Sequence, residues 1–89
     1  MSKTDILHGR ALKTLLYIYE HGTIYGYIEL AKTMHMGPHT MKNVLLTLEL
    51  MGLVSKKVGP NNIYIYNLTE KGKKIAEKTK EIVKMLEES

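Results

Sequence analysis

Along this chain apolar residues recur first at helical spacing, then at strand spacing, then at helical spacing again. Leu7, Ala11, Leu12, Leu15, Leu16, Ile18 and Tyr19 mark a first helix over residues 5–21. Its apolar face is wider than one packing partner covers, so a second cover is expected, from this chain or from another copy. Gly22 is a stop signal. Residues 23–25 are β-prone and long enough for a minimal strand. A short second helix over 27–35 buries Ile28, Ala31 and Met34. Met36-Gly37-Pro38 then breaks the chain, and the proline suits the first position of a third helix over 38–51. In that helix Met41, Val44, Leu45 and Leu48 share one face, and Gly52 ends it. Residues 54–58 and 63–68 are β-prone, the second run placing Tyr64, Tyr66 and Leu68 on one side, and Gly59-Pro60-Asn61-Asn62 is turn chemistry. A hairpin over 54–68 follows. Thr69 can cap a last helix over 69–88, along which Ile75, Thr79, Ile82 and Leu86 fall at near-heptad spacing, flanked by Ala76 and Val83.

The element order is helix, short strand, helix, turn, helix, hairpin, helix. It is expected to fold as one mainly α domain with a small β-hairpin (α+β), a winged helix-turn-helix closed by a C-terminal dimerisation helix. The 89 residues leave room for one core, with no repeat, low-complexity tract or linker to suggest a second. Cysteine is absent, which excludes disulfides, thiolate metal sites and cysteine nucleophiles from these residues. No apolar run reaches the roughly 20 residues of a membrane span, and no apolar signal segment opens the sequence. The expectation is a soluble, cytoplasmic protein. The net charge of +4 suits a polyanionic partner without demanding one. Its placement says more: residues 37–60 carry Lys42, Lys56 and Lys57 against Glu49 alone, whereas the last helix is dense in both signs and nearly balanced.

Three strings carry a resemblance. Ile28-Glu29-Leu30-Ala31-Lys32 looks like the second helix of winged-helix regulators. Thr40-Met41-Lys42-Asn43-Val44-Leu45, continued by Leu48-Glu49-Leu50-Met51-Gly52-Leu53-Val54, resembles their recognition helix and its exit. Tyr66-Asn67-Leu68-Thr69-Glu70-Lys71-Gly72 is similar to the stretch that closes their wing and opens the last helix. Tyr25-Gly26-Tyr27 is similar to PadR-type members, and the rest is closer to the broad MarR-like group found in bacteria, archaea and archaeal viruses. The resemblance spans residues 12–75 and implies a DNA-binding transcription regulator.

A recognition helix enters the major groove and reads base edges with its N-terminal side chains. With the core face as assigned, His39, Lys42, Asn43 and Leu46 point outward and Thr40 and Thr47 lie at the flank. Asn43 is the candidate for direct readout, because its amide can pair bidentately with adenine. Lys42 suits a phosphate or a guanine edge. His39 and Thr40 suit phosphate at the helix start, and Leu46 suits a thymine methyl. On the hairpin, Lys56 and Lys57 are candidate phosphate contacts; Asn61 and Asn62 either reach the minor groove or the backbone, or simply make a tight turn. The family's wing often carries an arginine at its tip, and this one does not.

Leu12, Leu16, Ile75, Thr79, Ile82, Val83 and Leu86 are the candidate dimer interface, the alternative being that the last helix packs back on its own domain. Leu46 and Leu50 on the outward face of the third helix, with Ile63 and Ile65, keep open a protein-binding winged helix in a transcription or replication assembly. His35 and His39 stand four apart, but Gly37-Pro38 interrupts the helix that would align them, so no metal or other cofactor is expected at these or at His8 and His21. The six tyrosines either line a small effector pocket or serve core and interface packing. No nucleophile motif, phosphate loop or paired carboxylates point to an enzyme.

Overall fold

The structure, a computed structural model, describes residues 9–88. Helix α1 spans Arg10–His21, β1 Ile24–Tyr25, α2 Ile28–Thr33, α3 Pro38–Leu50, β2 Val54–Val58, β3 Tyr64–Leu68 and α4 Glu70–Glu88, with a single 3-10 turn at Pro60–Asn62 between β2 and β3. The strands form one antiparallel sheet in the order β1-β3-β2, with Tyr66 opposite both Ile24 and Lys56.

Helices α1, α2 and α3 meet in one core, although Ile28, expected to be buried on the second helix, is 52% exposed in its first turn. Leu12, Leu15 and Ile18 of α1 meet Leu30 and Ala31 of α2, and Met41, Leu45 and Leu48 of α3. Leu53, Val54 and Tyr66 of the hairpin and Ala76 of α4 complete the core. Burying a leucine-sized side chain contributes about 1.5–3 kcal/mol, so this cluster dominates the stability of so short a chain. Thr14 is also enclosed, its hydroxyl donating to the Arg10 carbonyl at 2.8 Å, which removes the penalty of burying it.

Several boundaries differ from the sequence expectation. Residues 5–8 of the first helix lie outside the described residues, and Gly9 is extended (φ −91°, ψ 175°), so α1 begins at Arg10. The second helix is shorter than 27–35. Its last turn tightens at Met34, His35 takes a left-handed φ of +56°, and the Met36 amide returns to the Ala31 carbonyl at 2.8 Å. That closure makes the turn between α2 and α3 and sets α3 against the core. Met51 and Thr69 flank α3 and α4 rather than joining them.

Thr69 joins three segments. The Gly72 amide donates to its hydroxyl oxygen at 3.0 Å, capping α4, while the hydroxyl donates to the Gly52 carbonyl at 2.6 Å. Gly72 is required by proximity: a Cβ there would overlap the Leu53 carbonyl, which the backbone of α4 approaches directly. The Lys71 ammonium donates to the Met51 carbonyl at 3.1 Å and so closes the C-terminal end of α3. The start of α4 thus fixes the end of α3.

The fold is elongated, 47 × 26 × 23 Å. Gly72, Ala76 and Thr79 of α4 face inward, whereas every residue from 80 to 88 is exposed. Beyond the core packing of Ala76, Lys80 of α4 pairs with Glu20 of α1 at 3.1 Å and lies over the Tyr19 ring, and the Tyr19 hydroxyl donates to Glu77 at 3.2 Å. Burial and then the Glu77 carboxylate push the Tyr19 hydroxyl above its ordinary value. No helix among the described residues is long and apolar enough to cross a membrane.

Candidate nucleic-acid interface

Helix α3 presents two contrasting sides. Met41, Leu45 and Leu48 are 0–1% exposed. His39, Lys42, Asn43, Leu46 and Thr47 stand on the opposite side, open to solvent, with Thr40 and Val44 half-buried between. Gly37 in extended geometry and Pro38 at the first helical position start the helix without a side-chain cap. The Asn43 side-chain amide has no partner among the described residues, so both its donor and its acceptor face outward. The Thr47 hydroxyl is different. It donates to the Asn43 carbonyl at 3.0 Å, which leaves only its lone pairs for another molecule.

The two wing lysines do not share a setting. Strand alternation puts Lys57 on the side of Ser55 and opposite Ile65, where it has no ion-pair partner among the described residues. Lys56 shares its side with buried Val54, and its ammonium lies 3.6 Å from the Glu49 carboxylate of α3 and 4.7 Å above the Tyr64 ring. Lys56 is therefore ion-paired where Lys57 is not, among the described residues. At the wing tip Asn61 and Asn62 both take φ of +60°, and the Gly59 amide bonds to the Ile63 carbonyl at 2.6 Å. The turn role of the two asparagines is therefore realised, and their side chains remain exposed.

Among the proposed interface residues of the outer helices, Ile75, Ile82, Val83 and Leu86 are exposed and Leu16 is half-buried. Leu12 and Thr79 are not available to a second copy. Leu12 belongs to the protomer's own core at 4% exposure, and Thr79 can turn inward because its hydroxyl donates to the Ile75 carbonyl at 2.8 Å. Ile65, proposed as part of a protein-binding surface, is half-buried and packs close to Gly59.

A cleft of about 290 Å³ between α1, β3 and α4 is lined by Ile18, Tyr19, Gly22, Thr23, Asn67, Leu68 and Lys73, so Tyr19 is the one tyrosine it contains. Tyr66 lies in the core, where burial and then the charge of Glu49 push its hydroxyl above its ordinary value. No group of three or more metal-ligating side chains occurs among the described residues, and His8 lies outside them.

No protein-family model and no curated protein matches the sequence. Solved structures do match the fold. The chain is similar to MepR, a transcription regulator of the Staphylococcus aureus multidrug efflux pump MepA, at 25% identity and a TM-score of 0.78 over 88% of this chain. It is similar to AF1382 from Archaeoglobus fulgidus at 24% identity and a TM-score of 0.79, covering 88% of each chain. A transcriptional regulator homologue from Pyrococcus horikoshii matches at 16% identity and a TM-score of 0.75, over 92% of this chain and 85% of its own. The fold is the winged helix of MarR-like regulators. The chain spans 58% of the length of MepR, whose structure has also been solved in complex with DNA. In this winged helix α2 and α3 are the helix-turn-helix, β2 and β3 the wing, and α4 the helix that leaves the domain.

Sequence reasoning missed three residues that shape this surface: Glu49 and its pairing with Lys56, Lys71 at the end of α3, and the reason for Gly72. All three stand in the strings that carry the resemblance, and that was their one signal.

Proposed function

We propose that this chain is a sequence-specific, double-stranded DNA-binding transcription regulator of the cytoplasm, acting as a homodimer that represses by occluding a promoter. One observation supports the reading above all: α3 hides its Met41-Leu45-Leu48 side and offers Asn43 and Lys42, whose side chains have no partner among the described residues, within a fold that MepR uses in a complex with DNA. The helix supplies base contacts, with Asn43 reading adenine and Lys42 meeting phosphate or guanine. Lys57 adds a phosphate contact from the wing. Two copies joined through α4 and the free side of α1 would place two α3 helices about one helical turn apart, roughly 34 Å, on a palindromic site. The role assigned is one of binding, without catalysis.

Selection of bound sequences from a random duplex library tests all of this together. Enrichment of a palindrome with half-sites a helical turn apart is the expected result. No enrichment, with no salt-sensitive binding at low salt, would contradict the reading.

A second reading has its own observation. Leu46 and Leu50 are 46% and 79% exposed on α3, and Ile63 is 44% exposed at the start of the wing's return strand. Apolar side chains there favour a protein-binding winged helix in a larger assembly, and binding of no duplex at low salt would support it.

A further inference from the structure

We propose that Lys56 is a positioning residue, a strut that ties the wing to the recognition helix through Glu49 instead of neutralising a phosphate. Its consequence for DNA rests on the reading given above, but the strut itself does not. Five ion pairs join described side chains, and three of them link residues three apart within one helix. The Lys56–Glu49 pair differs from those three in two ways. It bridges separate elements, β2 and α3, as only Lys80–Glu20 also does among the described residues, and its side chains are the most covered of the five, 33% and 30% exposed.

Lys56 also makes a second contact that holds it in place. Its ammonium lies 4.7 Å above the ring of Tyr64 on β3, so one cation meets a carboxylate from α3 and an aromatic face from the other wing strand. The opposing Tyr66 lies buried alongside, its hydroxyl sensing the same Glu49 charge. A partly covered pair is screened less by salt than an open one. With its charge already opposed by the Glu49 carboxylate and its ammonium set over an aromatic face, Lys56 has less net charge to offer a phosphate than an unpaired lysine. Lys57, one residue on, has no such ties among the described residues and points to the other side of the strand. Adjacent lysines thus divide the work: one holds the wing and the other is free to meet a polyanion.

The test has a DNA-free arm and a DNA arm, on the full chain. In hydrogen exchange, Lys56→Met and Glu49→Gln are expected to speed exchange of the wing amides, residues 54–58 and 64–68, by several-fold. Amides of α1 serve as the control for folding, Lys57→Met is expected to leave the wing unchanged, and Lys56→Arg to restore protection, since a guanidinium can pair and stack in the same place. Against a random-sequence duplex, Lys56→Met is expected to weaken binding with the slope of log K against log salt unchanged, whereas Lys57→Met lowers that slope by about 0.9. Wing exchange unaltered in both Lys56→Met and Glu49→Gln would overturn the strut. So would a slope that falls for Lys56→Met as it does for Lys57→Met. If the unaltered protein binds no duplex at any salt, the DNA-binding reading fails, and the exchange arm still decides the strut.

Discussion

Helices α3 and α4 are both amphipathic, yet they meet solvent with opposite sides. Helix α3 turns Met41, Leu45 and Leu48 inward and shows His39, Lys42 and Asn43, with Leu46 and Leu50 the apolar exceptions on its outer side. The last helix does this only over its first half. Beyond Thr79 it carries Ile82, Val83 and Met85 into solvent, between 38% and 69% exposed. A polar flank over a satisfied core is a surface made to stay wet or to meet a polar partner. An apolar flank over no core is a surface made to be covered. On the reading proposed above, the two helices serve two kinds of partner, a duplex for α3 and a second copy for α4.

The sharpest break in this contrast is expected on α3 itself. Leu48→Ala removes a fully buried side chain and should cost about 2–5 kcal/mol in chemical denaturation. Leu50→Ala, two positions along and 79% exposed, should change stability by no more than about 0.5 kcal/mol. On α4 the order inverts, because Ile82→Glu touches nothing in the protomer core yet should convert the dimer to monomer in sedimentation equilibrium. An unchanged mass for that variant would assign the dimer to another surface. Smaller again is Asn43→Ala, expected to erase about 1–3 kcal/mol of preference at one base pair while leaving binding to random duplex nearly intact. Equal loss on all sequences would remove Asn43 from direct readout.

The smallest effect lies at high pH and probes the floor beneath the wing. Tyr66 ionises at about 10 when unfolded and at a higher pH when folded, because burial first and Glu49 second oppose its charge. The folded state keeps the proton longer. Stability should therefore be unaffected by this group below pH 10 and fall as the pH rises beyond it, and Tyr66→Phe should flatten that fall in thermal denaturation.

Much of the fold could be read from spacing because α1 and α3 are held by their own stripes. The Met41-Leu45-Leu48 side and the strands flanking Gly59 to Asn62 are local patterns, and the local pattern coincides with the burial. What escaped was tertiary. A lysine in a strand reads the same whether or not a carboxylate waits on a neighbouring helix, so Lys56 and Lys57 looked alike. The wide apolar face of α1 showed that more cover was needed, but not that Leu12 would find it within the protomer. Thr79 looked like a seam residue, and its bond to the Ile75 carbonyl lets it turn inward instead. His35 adopts a left-handed backbone that shortens α2, a choice forced by the turn into α3 rather than by any preference of histidine.

The claim that the polar side of α3 meets a duplex is tested most directly by titrating the isotope-labelled protein with its selected duplex and following backbone amides by NMR. The account predicts the largest shifts at His39, Lys42, Asn43 and Lys57, with Ile82 and Met85 unmoved. Shifts absent from residues 39–43, or concentrated instead around Leu50 and Ile63, would contradict it.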